Sequence, residues 1–388
     1  MDITIQPTRL HGHVRATASK SQAHRLLICA SFSDTPTILH CTETNRDIEA
    51  TAGCLRALGA EITRTEDRYL VHPIRKLPET AVLNCSESGS TLRFMLPIVG
   101  ALGVDALFQM EGRLPQRPLS PLWEEMERMG CNLSRPTETT IRCTGRLRPG
   151  AYVIDGSVSS QFITGLLFAL SLIEGESSLE ITGKPESKPY IEMTRSAMAL
   201  FGAPSYRTPG RIEVEGDWSN GAFFLAAKAL GNDLSVANLN PESVQGDRMV
   251  VQLLPALEDH IRIDAADIPD LVPILAVTAA AKKGAVFTNI HRLRLKESDR
   301  VMAVEDMIQS LGGNTKASEN ELTVYGTGLT GGIVNSHNDH RIAMAAAIAA
   351  TVCSEPVTIL GADAVNKSYP SFWNEYRKLG GYYEQYLR

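Results

Sequence analysis

Residues 300–326 read RVMAVEDMIQSLGGNTKASENELTVYG, and this stretch holds the fold in miniature. Val304, Ile308 and Leu311 fall at helical spacing. Gly312 follows at the position where a helix ends and φ turns positive. Two apolar stretches around the polar turn ASEN then predict a hairpin. The same ending recurs in LRALGA at Gly59, MERMGC at Gly130, MALFGA at Gly202 and YRKLGG at Gly380. Each follows apolar residues at helical spacing: Ile48/Leu55, Leu122/Met126/Met129, Met193/Ala197/Leu200 and Phe372/Tyr376/Leu379. Successive glycines are 71, 72, 110 and 68 residues apart, which marks an internal repeat. The gap of 110 holds a degenerate copy, VVQLLPALEDHIRI, with a helix but no glycine and no room for the hairpin. The chain therefore reads as six units, one abridged, of roughly 65 residues each.

A second signal runs in step with the first. Six times a strand-like stretch leads through a polar or small residue into an apolar helix: VRATASKSQAHRLLICA, LNCSESGSTLRFMLPIV, YVIDGSVSSQFITGLLFAL, IEVEGDWSNGAFFLAAKAL, IRIDAADIPDLVPILAVTA and GIVNSHNDHRIAMAAAIAA. Ser, Asp or Asn at such a start is an N-cap. The helix bodies are core. Their N-termini present unpaired N–H groups and about half a positive charge, so they attract anions.

The chain has 388 residues, a length that predicts two or three domains. With 43% hydrophobic and 21% charged residues it is an ordinary globular composition, not a disordered or fibrous one. A net charge of −6 argues against a polyanion-binding surface, so no nucleic-acid partner is expected. Seven cysteines without a CxxC pair predict neither a disulfide framework nor a zinc knuckle, and fit a reducing compartment. The start MDITIQPTRLHG lacks a signal-peptide pattern, and the longest small-apolar run, Ala343–Cys353, is about half a membrane span. A cytoplasmic protein with no membrane partner is expected. There is no GxxxxGK[ST], no GxGxxG after a strand, no HExxH and no GxSxG. His11/His13 and His337/His340 lack the partners a metal site needs. A metal-free, cofactor-free enzyme of small anions remains.

The cations gather at helix starts. Lys20 and Arg25 flank Ser21, Arg93 follows Ser88-Gly89-Ser90, and Arg117 lies in the Pro-rich loop GRLPQRP. Ser159, Ser160 and Gln161 open the third helix with hydroxyl and amide donors. Lys296, Glu297 and Arg300 crowd RLKESDR, His340 and Arg341 open the last helix, and Lys367 sits in NKSYP. A lone Lys or Arg is more often a solvated surface charge. Repeated placement at helix starts points instead to carboxylate and phosphate recognition. Asp270, in DIPDLVPIL, reads equally as an N-cap or as a general base tuned by partial burial. Glu297 reads as a helix i,i+4 partner or as a proton donor kept among cations.

Nine ordered motifs carry a resemblance: KSQAHR (20–25), ESGSTLRF (87–94), GRLPQRP (112–118), GSVSSQF (156–162), SKPYIEMT (187–194), IPD (268–270), KESDR (296–300), NDHRIAM (338–344) and Lys367. In this order, over nearly the whole chain, they resemble the 5-enolpyruvylshikimate-3-phosphate synthase family. The resemblance implies an α/β (α+β) fold of two domains, each of three βαβαββ units, with a cleft between them. One domain would be 1–15 with 216–388, the other 16–215. It implies addition–elimination transfer of the enolpyruvyl group of phosphoenolpyruvate to the 5-hydroxyl of shikimate 3-phosphate, in a monomeric enzyme inhibited by glyphosate. By the same resemblance Lys20, Ser21, Arg25, Ser159, Ser160, Gln161, Ser187, Asp270 and Lys296 would hold shikimate 3-phosphate, Arg25 taking the ring carboxylate. Lys20, Gly89, Arg117, Gln161, Arg300, Arg341 and Lys367 would hold phosphoenolpyruvate, supported by Arg93, Tyr190 and His340. Asp270 would accept the hydroxyl proton and Glu297 would protonate the methylene carbon, with Lys20 the third catalytic group.

Two anionic substrates need several cations at once, and addition–elimination needs a base and an acid. Domain closure would expel water and strengthen the charge interactions. Two departures stand out: family members often carry Asn where this chain has Glu87, an added negative charge beside the presumed phosphoenolpyruvate site, and the fifth unit is abridged. Two rivals compete. The transferase acting on UDP-N-acetylglucosamine resembles this family but carries a loop Cys that GRLPQRP lacks, and Lys-Asn where this chain has Lys20-Ser21. A catalytically inactive anion-binding module would need loss of Asp270, Glu297 or Lys20, and all three are present.

Overall fold

The computed structural model describes residues 1–386. Twelve α-helices form among them, two to each repeat unit. They are α1 (Lys20–Ser31), α2 (Arg46–Ala57), α3 (Gly89–Leu102), α4 (Leu122–Arg128), α5 (Ser160–Leu170), α6 (Lys188–Leu200), α7 (Trp218–Ala229), α8 (Val250–Ala256), α9 (Val272–Ala281), α10 (Arg300–Ser310), α11 (His340–Ala349) and α12 (Phe372–Lys378). The odd-numbered helices are the apolar runs that follow strand-like stretches. The even-numbered ones, α8 excepted, end on the recurring glycine. Gly59, Gly130, Gly202, Gly312 and Gly380 all have positive φ, between 65° and 115°. The chain divides into two compact units, Met1–Thr17 with Gly216–Arg388 and Ala18–Glu215, each with its own buried apolar cluster. Residues 387 and 388, the end of the expected 216–388 domain, lie outside the described residues.

One sheet pattern recurs. In the unit 18–215, Thr80–Asn84 runs parallel to Asp105–Gln109 with α3 between them in sequence, and the hairpin Cys131–Thr137/Thr140–Gly145 extends the sheet antiparallel. Parallel neighbours cannot be joined by a tight turn, so the connection must be a crossover helix. Around α9 the other unit repeats this with Ile261–Asp264, Gly284–Thr288 and the hairpin Asn314–Ala317/Glu321–Tyr325. Where the chain passes between units, strands exchange partners. His11–Arg15 leads into α1 but pairs with Asp233–Ala237, and Arg211–Glu213 leads into α7 but pairs with Thr37–His40. The sixth hairpin is made from the two chain ends: Asp2–Ile5 lies between Val357–Leu360 and Tyr383–Tyr386, antiparallel to both.

The abridged unit expected from VVQLLPALEDHIRI is present, but in chain order it is the fourth (α7 with α8) and not the fifth: α8 passes directly towards Ile261–Asp264, whereas α9 with α10 keeps the hairpin Asn314–Ala317/Glu321–Tyr325. A second abridgement follows α6, where residues 201–210 turn into Arg211–Glu213 without a hairpin. The count of one abridged unit therefore becomes two. As a result the sheets Ala151–Asp155/Ser178–Thr182 and His11–Arg15/Asp233–Ala237 have two strands where the others have four.

Five of the six apolar helices carry the expected cap. Ser19, Ser88, Ser159, Asp217 and Asp339 each accept a backbone N–H from the first turn of their helix. The exception is α9, whose N-cap is Leu271 and which has no side-chain cap. The bodies are core: Val272–Ala280 of α9 is buried throughout, and α7, α9 and α11 pack on one another. α3 and α5 meet so closely that a Cβ at Gly165 would overlap the carbonyl oxygen of Arg93. No helix among the described residues is long and apolar enough to cross a membrane. All seven cysteines are buried free thiols.

Candidate active site

The unit 18–215 gathers one set of candidate residues at the starts of α1, α3, α5 and α6. Lys20, the first residue of α1, pairs with Asp47 Oδ2 at 3.0 Å. The Asp47 carbonyl in turn accepts from Thr91 Oγ1 at 3.4 Å, tying α2 to the first turn of α3. Gln161 Nε2 donates to Ser90 Oγ at 3.0 Å, which joins the start of α5 to the start of α3. Ser159 caps α5, and Ser160 beside it is buried. Arg25, itself buried, links three helices, its own α1, α5 and α6: Nε donates to Thr194 Oγ1 at 2.9 Å, Nη1 to the Ser21 carbonyl at 2.7 Å, and Nη2 to the Tyr190 carbonyl at 2.9 Å and to Thr164 Oγ1 at 3.4 Å. It stacks 5.1 Å from the Phe94 ring centroid and 6.0 Å from that of Tyr190. Burial lowers its pKa to about 10, so it is still a cation at neutral pH. Ser187, at the start of α6, has φ 55° and ψ 42°, a left-handed conformation that costs a non-glycine residue energy and clusters at functional sites.

Gly89 stands between two guanidiniums. A Cβ there would collide with Arg117 Nη1 and lie 2.8 Å from Arg93 Nη1. Arg93 donates to the Gly89 carbonyl at 3.3 Å and to the Pro118 carbonyl at 2.9 Å, so it fastens the Gly112–Pro118 loop to α3. Arg117 Nε is buried and has no hydrogen-bond partner among the described residues. An orphaned cationic donor beside a helix N-terminus suits an anion. Glu87 packs against the same loop, where a Cβ at Gly112 would lie 2.5 Å from Glu87 Oε2.

The other unit gathers a second set around Arg300. Its fully buried guanidinium donates through Nε to Asp339 Oδ2 at 2.9 Å, Nη1 to Asp270 Oδ1 at 2.8 Å and Nη2 to Glu297 Oε2 at 2.7 Å. Arg341 Nη2 donates to Asp270 Oδ2 at 3.1 Å and Nη1 to the Asp270 carbonyl at 3.3 Å. Asp270 thus sits between two arginines and does not cap α9, which removes the cap reading. Glu297 precedes α10 and meets Arg300 at i,i+3, so the i,i+4 reading falls as well. Burial would raise the Asp270 pKa, but Arg341, Lys296 and Arg300 hold it well below the usual carboxylate range. Burial pulls Lys296 down to about 8 against the attraction of Asp270. Lys367 is buried and donates to the Asn338 carbonyl at 2.9 Å. His337 and Asn338 have φ of 51° and 56°, a strained turn that presents Asp339 to α11. His340 is buried with its Nδ1 4.0 Å from Asp339 Oδ1.

Two site residues escaped the sequence reading. Asp339 binds Arg300, Ser298 Oγ at 3.0 Å and the Arg341 N–H at 2.9 Å, and Asp47 binds Lys20. Asp339 was legible as the cap of α11, directly before His340 and Arg341, but not as the partner of Arg300, 39 residues away. No local pattern marks Asp47, which is 27 residues from its partner.

Comparison with known proteins adds independent findings. A family model described as EPSP synthase (3-phosphoshikimate 1-carboxyvinyltransferase) matches residues 5–264 and 255–376. A 3-phosphoshikimate 1-carboxyvinyltransferase of Clostridium kluyveri is 37% identical over 98% of this chain and 97% of its own. That of Clostridium novyi is 35% identical over 99% of both. In fold, the chain is similar to an EPSP synthase structure from Acinetobacter baumannii, with TM-score 0.80 and 22% identity over 99% of this chain and 100% of that one. Full-length matches at this identity, on a chain whose repeat units and charged helix starts are those described above, place it plainly: the chain belongs to the EPSP synthase family.

Proposed function

We propose that this protein transfers the enolpyruvyl group of phosphoenolpyruvate to the 5-hydroxyl of shikimate 3-phosphate and releases phosphate, a step of aromatic amino acid biosynthesis. The observation that carries the residue-level reading is Asp270 held between Arg300 and Arg341. Without substrate these charges neutralise one another. A bound anion competes for the guanidiniums, and Asp270 then recovers basicity where the 5-hydroxyl proton must be taken. In the addition step the hydroxyl oxygen bonds to the central carbon of phosphoenolpyruvate, Asp270 takes the hydroxyl proton and Glu297 gives one to the methylene carbon. In the elimination step Glu297, now a carboxylate, takes a proton from the new methyl group, the carbon–oxygen bond to phosphate breaks, and phosphate departs with the proton that Asp270 had accepted.

Lys20, Gly89, Arg117, Gln161, Arg300, Arg341 and Lys367 are assigned to phosphoenolpyruvate. Lys20, Ser21, Arg25, Ser159, Ser160, Gln161, Ser187, Asp270 and Lys296 are assigned to shikimate 3-phosphate. Arg93, Tyr190 and His340 support them. The Arg25 cage and the orphaned Arg117 Nε support these assignments. Residues 1–15 with 216–388 and 16–215 are read as the two domains, in keeping with the compact units. A cytoplasmic location accords with seven buried free thiols. The family resemblance supports a monomer, which sedimentation checks.

The test is phosphate release from phosphoenolpyruvate, measured with shikimate 3-phosphate and separately with UDP-N-acetylglucosamine. Release only with shikimate 3-phosphate is expected. Equal release with both, or none with either, overturns the reading.

A further inference from the structure

His24, in the motif KSQAHR, has no part in the reaction above. It is buried on α1 one turn after Lys20, its ring perpendicular to that of Phe94 with centroids 6.3 Å apart. On α2, Thr51 follows Asp47 by one turn in the same way. Residues four apart share a helix face, so α1 and α2 meet through two rungs. Lys20 Nζ pairs with Asp47 Oδ2 at 3.0 Å, and His24 Nδ1 meets Thr51 Oγ1 at 2.7 Å. The first rung reaches solvent, with side chains 13% and 16% exposed, whereas both members of the second are buried.

The second rung continues into α3. Thr51 Oγ1 lies 2.7 Å from Thr91 Oγ1. Thr91 Oγ1 donates to the hydroxyl of Ser88, the cap of α3, at 2.8 Å, with the Asp47 carbonyl 3.4 Å away. A threonine hydroxyl has one proton to give. That of Thr91 goes to Ser88 and Asp47, so Thr51 donates to Thr91 and must itself accept from His24. The far end of the chain thus sets the tautomer, with hydrogen on Nδ1. His24 Nε2 is buried without a hydrogen-bond partner among the described residues, so a second N–H would have nothing to meet. Burial, with repulsion from Lys20 and Arg25, also holds the ring's pKa well below its usual value. An apolar side chain would fill this place without leaving a nitrogen unpaired. What the imidazole adds is the Nδ1 donor.

We propose that His24 is a positioning residue for Lys20: by donating from Nδ1 to Thr51 it fixes α1 against α2 in the register that holds Lys20 beside Asp47, ready for an incoming anion. The proposal rests on the assignment of Lys20 to shikimate 3-phosphate.

The test has two arms. In nitrogen NMR of the wild-type enzyme, the ring that disappears in His24→Asn is expected to be neutral at pH 7 with its proton on Nδ1. A proton on Nε2, or on both nitrogens, overturns the proposal. Titration calorimetry then follows affinity for shikimate 3-phosphate. Lys20→Met should weaken it about tenfold or more, the loss of one charged hydrogen bond. Thr51→Val and His24→Phe should each weaken it about threefold or more, and His24→Asn, whose amide nitrogen stands where Nδ1 stood, should recover most of this. In a Lys20→Met background Thr51→Val should cost nothing further, since no charge is left to place. Additive losses, full affinity in Thr51→Val, or no recovery in His24→Asn overturn the proposal and leave the assignment of Lys20 intact. Wild-type affinity in Lys20→Met removes that assignment and the proposal with it. A wild-type enzyme that does not bind shikimate 3-phosphate removes the function proposed above as well.

Discussion

Arg300 Nε donates to Asp339 Oδ2 at 2.9 Å, and Asp339 Oδ1 accepts the backbone N–H of Arg341 at 2.9 Å. One buried carboxylate therefore sets both the cation that grips Asp270 from α10 and the start of the helix that carries the second cation. Its removal should be felt twice. Asp339→Ala is expected to cost about 3–5 kcal/mol, because it leaves the Arg300 charge buried without its main partner. Asp339→Asn keeps a capping oxygen and should recover about 1 kcal/mol of that. Urea denaturation of the two variants checks the order. Equal stability of both and wild type would mean that Glu297 and Asp270 suffice to balance Arg300.

Asp270→Asn keeps the shape and loses the base. Turnover should fall by about 10²–10⁴-fold, the usual range for a positioned general base. Binding of shikimate 3-phosphate, followed by calorimetry, should change much less. Near-normal turnover would leave Asp270 as an ion-pair partner only.

Lys296 should show itself in pH dependence. Its pKa is lowered from 10.5 to about 8, so between these values the folded protein binds fewer protons than the unfolded chain. Its contribution to stability therefore increases as pH rises through that window, the reverse of a group whose pKa is raised. Over the same interval it loses the charge assigned to the shikimate phosphate. Affinity for shikimate 3-phosphate at pH 9, compared with pH 7, should drop about tenfold more in the wild type than in Lys296→Arg. Parallel curves for the two enzymes would take Lys296 out of phosphate binding.

Gly89→Ala tests the guanidinium pair. The new methyl group meets the ends of Arg117 and Arg93, which are flexible and can move aside. Stability should change little, within about 1 kcal/mol. The displaced Arg117 should raise KM for phosphoenolpyruvate by about tenfold or more, since one charged hydrogen bond is worth about 1.5–3 kcal/mol. Steady-state kinetics beside a melting curve separates the two effects, and an unchanged KM removes Arg117 from the site.

The sequence by itself determined the elements whose cause is local. Helices ending at Gly59, Gly130, Gly202, Gly312 and Gly380 follow from 3.6-residue spacing and the need for positive φ, and each of these glycines has it. Caps at Ser19, Ser88, Ser159, Asp217 and Asp339 follow from side chains that reach their own first turn. Only the tertiary structure decided what depends on distant neighbours. The exchange of His11–Arg15 to Asp233–Ala237, and the completion of the last hairpin by Asp2–Ile5, join segments more than 200 residues apart that no periodicity connects. The missing hairpin after α6 was hidden because Gly202 keeps the usual ending while the strands behind it are gone. At the site, Asp270 is equally a cap or a base on the page of the sequence. Its two arginines, 30 and 71 residues away, make it an ion-paired carboxylate, because charge acts through space and not along the chain.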